Sequence, residues 1–128
     1  MNHLFSGNLQ DTMDYFNKAL SIDRNFDIVY RVLRIGGKNA CMYTVDGFVK
    51  DEVLEKILSF LFTKKPEDMP SNAHDFSKEL IAYTEVGLAR DADAVITQLL
   101  SGITCLFIDG YQDCITIECR TYPVRSVE

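Results

Sequence analysis

The sequence predicts an α/β domain: a mixed β-sheet of about five strands with two hairpins, covered by helices in the order α-β-β-α-α-β-α-β-β. Three observations carry this prediction. Two pairs of apolar, β-branched runs are each joined by a glycine-bearing turn, Gly36-Gly37-Lys38-Asn39 in the first and Asp109-Gly110 in the second. Between them, apolar residues recur at helical spacing. Two strand-helix crossovers then connect the hairpins, which implies a sheet with both parallel and antiparallel neighbours.

The first helix is expected over residues 8 to 20. Leu9, Met13, Phe16 and Leu20 form its stripe, and Ser6 or Asn8 is in position to cap it. Ile28 to Ile35 and Ala40 to Val45 read as the first hairpin. From Asp51 the period becomes helical, with Val53, Leu54, Ile57, Leu58 and Leu61 on one broad face. Lys64 to Ser71 combines charge with two prolines, so neither helix nor strand should persist there. A short helix capped by Asn72, with Asp75 in its first turn, should run to about Leu80. Tyr83 to Leu88 alternates as a strand, and Asp91 should cap a helix containing Ala94, Val95, Gln98 and Leu99. Ser101-Gly102 stops that helix, because glycine adopts the left-handed C-terminal conformation at little cost. The closing hairpin follows, from Ile103 through Asp109-Gly110 to Ile117.

A chain of 128 residues, 47% hydrophobic and 25% charged, fits one globular domain over residues 1–128. Its net charge of −6 argues against nucleic acid or anionic lipid held by bulk electrostatics. The longest apolar runs fall short of the roughly 20 residues that span a bilayer. Met1 to Phe5 lacks the basic region and apolar core of a secretory signal, which points to an intracellular setting. Cys41, Cys105, Cys114 and Cys119 sit in apolar runs without Cys-x-x-Cys spacing, so they are expected to be reduced and buried rather than zinc ligands.

Residues with chemical potential are few. Asp46 and Asp109, each before a glycine, read either as a converging carboxylate pair or, in preference, as turn residues bonding nearby amides. The glycines lack the spacing of a phosphate-cradling loop. With only His3 and His74 as bases and apolar flanks raising thiol pKa, a cysteine–histidine dyad is not expected. No enzyme activity, cofactor or metal is predicted. Arg120, Tyr122, Pro123 and Arg125 form a polar-aromatic cluster, either a solvated strand exit or an interface anchor.

The run Leu99-Leu100-Ser101-Gly102, an apolar strand, Phe107-Ile108-Asp109-Gly110, a second strand, then Arg120-Thr121-Tyr122-Pro123-Val124-Arg125 resembles the spore germination receptor A-subunit (GerA) family, closest to its stage V sporulation protein AF branch. Phe26 to Val32 and Tyr43 to Phe48 resemble that family's opening hairpin, so the likeness covers roughly residues 22 to 128. It implies a non-catalytic, cytoplasm-facing assembly and coupling segment of a membrane protein at the spore-core face of the spore inner membrane. Its implied partners are the downstream domains of the same protein and other subunits of a germination membrane complex, with a homo-oligomer possible in the full-length protein. The resemblance assigns no pore to these residues. It also makes Arg120, Tyr122 and Arg125 the candidate interface, because in the family this point leads into the next soluble segment. The competing readings are a small-molecule-binding or enzymatic α/β domain and a soluble partner-binding regulator.

Overall fold

The computed structural model describes residues 7–19, 27–47, 49–80 and 84–119. In these, α1 (Leu9–Ala19), β1 (Ile28–Ile35), β2 (Lys38–Val45), α2 (Asp51–Phe62), α3 (Ala73–Lys78), β3 (Val86–Ala89), α4 (Ala92–Leu100), β4 (Thr104–Ile108) and β5 (Cys114–Ile117) follow in the expected order. The caps form as the side-chain chemistry requires. The Asn72 carbonyl accepts from the Asp75 amide at 2.8 Å and the Asp91 carboxylate from the Ala94 amide at 2.8 Å. Asn8 accepts from the Asp11 amide at 3.0 Å, which makes it the cap of α1; Ser6, the other candidate, lies outside the described residues.

Three local details differ from expectation. β2 begins at Lys38, because Gly36 and Gly37, with φ of 57° and 80°, make a two-residue turn whose left-handed backbone matches the strand twist. A single 3₁₀ turn occupies Pro66–Asp68 inside the proline-bearing connection, started by the fixed φ of Pro66. β3 is short, Val86–Ala89, with each of its four residues paired to β5.

The strands form one sheet in the order β1-β2-β4-β5-β3. All four pairings are antiparallel, which corrects the expected mixed sheet. The β3-α4-β4 crossover does leave β3 and β4 running the same way, but the closing hairpin returns β5 into the gap between them. Parallel strands are therefore present but never adjacent.

Strand alternation sorts the interior into two cores. Cys41, Tyr43, Cys105, Phe107 and Cys114 meet Phe16 of α1 and Val95 and Leu99 of α4 on one face. Met42, Leu106, Ile108, Ile115 and Ile117 meet Ile57 and Leu61 of α2 and Phe76 of α3 on the other. β4 and β5 are buried along their whole length as a result.

Side-chain clamps hold the second layer. The Lys64 ammonium pairs with the Glu79 carboxylate and lies 5.6 and 5.8 Å from the ring centres of Phe60 and Phe76, joining the end of α2 to α3. Tyr111 donates to the Pro70 carbonyl at 2.5 Å. The β1–β2 turn fits so closely under the connection that a Cβ on Gly36 would stand 2.4 Å from Met69.

Ile115 is fully buried between Leu88 and Leu106. Ile115→Ala should cost about 2–5 kcal/mol in urea unfolding, through lost transfer energy and a residual cavity. A loss below about 0.5 kcal/mol, the range of surface substitutions, would contradict burial on both faces.

Candidate interaction surface

The two Asp-Gly turns do not converge. β2 and β4 are antiparallel with Ala40 opposite Ile108, so Asp109 sits beside Asn39 and Asp46 at the other end of the sheet. Six residues of strand lie between them, roughly 20 Å. The carboxylate-pair reading is thereby corrected. Asp46 is exposed, and its amide donates to the Asp27 carbonyl at 2.6 Å.

Asp109 does more than shape its turn. Its carboxylate accepts from the Leu9 amide at 3.0 Å, one hundred residues away, and its own amide donates to the Asn39 carbonyl at 2.9 Å. The Gly110 amide donates to the Gly7 carbonyl at 2.7 Å. One turn therefore holds the start of α1, the start of β2 and the β4–β5 hairpin together. A carboxylate at the first amides of α1 also meets the positive end of the helix dipole.

All four cysteines are free thiols and buried. Burial pushes the Cys41 thiol up to about 12, with Tyr43 working the other way. Burial pushes Cys119 up to about 11, with the Thr104 hydroxyl working the other way. Cys114 is also raised well above the ordinary thiol value, first by burial and then by Cys105 beside it. Each environment favours the neutral thiol over the nucleophilic thiolate. His74 lies exposed on α3, 3.6 Å from the Asp75 carboxylate, and His3 is outside the described residues. Among the described residues no three His, Cys, Asp or Glu side chains are grouped to hold a metal ion.

The surface carries the remaining features. Among the described residues β1 is an edge strand, paired only with β2. It exposes Val29 at 47%, Tyr30 at 38% and Val32 at 60%. Tyr30 stacks on the Tyr43 ring at 5.7 Å, which fixes it upright on the sheet. Arg31 is exposed, while Arg34 reaches back to the Gly37 carbonyl at 2.9 Å and the Asn39 side chain at 3.3 Å. The sequence reading took this strand only as half of a hairpin. Two arginines within eight residues were the available signal of an edge, since charge is tolerated where water reaches. Arg120, Tyr122, Pro123 and Arg125, the candidate interface, lie outside the described residues.

A family model described as Bacillus/Clostridium GerA spore germination protein matches residues 14–128. Stage V sporulation protein AF of Bacillus subtilis (strain 168) is 23% identical over 117 residues, covering 90% of this chain and 24% of that protein. The chain thus spans about a quarter of that relative's length. The crystal structure of the N-terminal domain of the A subunit of the Bacillus megaterium spore germinant receptor GerK3 superposes with a TM-score of 0.77 at 16% identity. That match covers 95% of this chain and 50% of the other, and it shows a shared fold.

Two outcomes test the chemistry of these sites. Asp109→Ala should destabilise the chain by about 1 kcal/mol, the usual loss of a helix cap, with amide exchange rising first at Leu9; unchanged exchange there would detach the turn from α1. Thiols whose folded pKa is raised contribute stability that is complete below the unfolded value of 9.0 and is lost as pH climbs toward about 12. Urea midpoints should accordingly hold steady from pH 7 to 8.5 and fall above pH 9, and Cys41→Ala should flatten that fall.

Proposed function

The chain belongs to the GerA spore germination protein family, and we infer that it is a non-catalytic assembly and coupling domain of a spore germination membrane protein. It would face the cytoplasm at the spore-core side of the inner membrane, tethered through other parts of the same protein. No described helix is long and apolar enough to cross a membrane. The buried thiols and the separated carboxylates support a role exercised through surfaces rather than through covalent chemistry.

The observation that carries the assembly reading is the β1 edge. An edge strand offers a row of main-chain donors and acceptors on its outer side, and Val29, Tyr30 and Val32 add apolar area to it. Its occupant is another subunit of the same membrane complex, contributing an extended acidic segment. Arg31 and Arg34 favour that partner over a second β1, because self-pairing would bring like charges together on one ribbon. The Arg120, Tyr122 and Arg125 cluster extends the proposal to the next segment of the same protein, where planar donors and a phenol suit an interface anchor.

Val32→Glu places a carboxylate on an exposed position facing the acidic partner, and Arg125→Ala removes one anchor. Both should leave melting of the 128-residue chain nearly unchanged, within about 0.5 kcal/mol. In cells carrying the intact protein, both should reduce recovery of the complex and slow germination. Normal complex recovery in the Val32→Glu variant would overturn the edge assignment, and unfolding of the chain by Arg125→Ala with an intact complex would make that arginine a local brace.

A further inference from the structure

The dipeptide Asp-Gly occurs twice, at Asp46–Gly47 after β2 and at Asp109–Gly110 after β4. It has a chemistry of its own. With no Cβ beside it, a glycine nitrogen can approach the preceding side-chain carboxyl and close a five-membered succinimide ring. The fold places the two copies in opposite circumstances.

At the β4–β5 turn both reacting groups are engaged. The Asp109 carboxylate accepts from the Leu9 amide at 3.0 Å, and the Gly110 amide donates to the Gly7 carbonyl at 2.7 Å. Asp109 is also half-buried. Ring closure there requires the carboxyl to leave a charge-assisted bond at the start of α1 and the attacking nitrogen to leave its acceptor.

At the other end of the sheet the reacting groups are free of such bonds. Asp46 and Gly47 are both exposed, so water reaches them. The Asp46 amide donates to the Asp27 carbonyl at 2.6 Å, but that nitrogen takes no part in ring closure. Among the described residues, neither the Asp46 carboxylate nor the Gly47 amide has a hydrogen-bond partner. A Cβ at Gly47 would meet no atom within 4 Å, which leaves the turn room for the ring.

The reaction balances with water alone. The Gly47 nitrogen bonds to Asp46 Cγ and gives up its proton, while one protonated carboxyl oxygen leaves Cγ as water. Water then reopens the ring at either carbonyl. Addition at Cγ restores aspartate. Addition at the Asp46 main-chain carbonyl carbon breaks its bond to the Gly47 nitrogen and leaves the chain joined through Cγ, as isoaspartate with a free α-carboxylate. Nothing is oxidised or reduced.

We propose that Asp46–Gly47 is a site of spontaneous isoaspartyl formation, while the fold holds Asp109–Gly110 unreactive. The product inserts a methylene into the main chain between β2 and α2 and displaces the negative charge at that surface. This site is independent of the β1 edge and of the assembly role inferred from it.

Incubating the folded chain in heavy-oxygen water at neutral pH, then mapping its peptides in ordinary water, reads each ring opening as label fixed in an aspartyl residue. Label and isoaspartyl product, the latter identified by chromatography and by isoaspartyl methyltransferase, are expected at Asp46. Asp109 should acquire them at least about tenfold more slowly, because two hydrogen bonds must open before it reacts. In urea, where neither turn is held, the two should react at similar rates. Asp46→Glu keeps the charge and should abolish label at that position, since its ring would need six members. Equal labelling of Asp46 and Asp109 in the folded chain would overturn the proposal. So would a folded chain that takes no label at Asp46, or label persisting there in Asp46→Glu.

Discussion

The whole architecture depends on β4 and β5 being buried on both faces. A strand with one apolar side needs one covering layer, whereas Cys105, Leu106, Phe107 and Ile108 alternate between two interiors and need both. That requirement places α1 and α4 on one face and α2 and α3 on the other, and it explains why helices fall between the hairpins in the chain. It also demands that the middle strands have partners on both sides. The returning β5 meets this demand by filling the space that the β3-α4-β4 crossover leaves open.

Much of this was legible locally. The strand span Ile28 to Ile35, the start of α2 at Asp51, and the caps Asn72 and Asp91 all follow from short-range chemistry that the neighbouring residues complete. Strand order was not legible. Nothing near Ala40 announces that its neighbour will be Ile108, because that pairing is decided by competition among faces far apart in sequence. Asp109 shows the same limit at one residue. Its place before a glycine predicted a turn, but its carboxylate is satisfied by the amide of Leu9, a partner that only the closed fold supplies. The exposure of Val32 was not legible for a related reason: a β-branched residue in an apolar run carries no local sign that its strand lies at an edge.

The two edges of the sheet are chemically unlike. β1 carries exposed apolar side chains with Arg31 and Arg34, while β3 carries a glycine and is preceded by Glu85, whose carbonyl accepts from the Glu118 amide. A negative chain, at −6 overall, thus gathers basic groups on one edge and carboxylates beside the other. Such polarity suits unlike partners at each side. Because the centre admits no solvent from either face, recognition has to occur at these margins and on the outer surfaces of the helices.

The sealed centre also bears on how such a domain would couple a signal. Packed cores resist gradual deformation and respond by moving as units. Here the β4–β5 turn joins Gly7, Leu9 and Asn39 by hydrogen bonds, so the start of α1 and the β1–β2 hairpin cannot shift freely against the middle strands. The Lys64–Glu79 pair, set against Phe60 and Phe76, fastens α2 to α3 in the same manner. By contrast, β3 is only four residues long and, among the described residues, is held by a single neighbouring strand. Short edge strands have few bonds to break and lie at the low end of local stability. Coupling of the kind proposed would then most readily be a change in the order of the β3 edge while the two cores stay fixed.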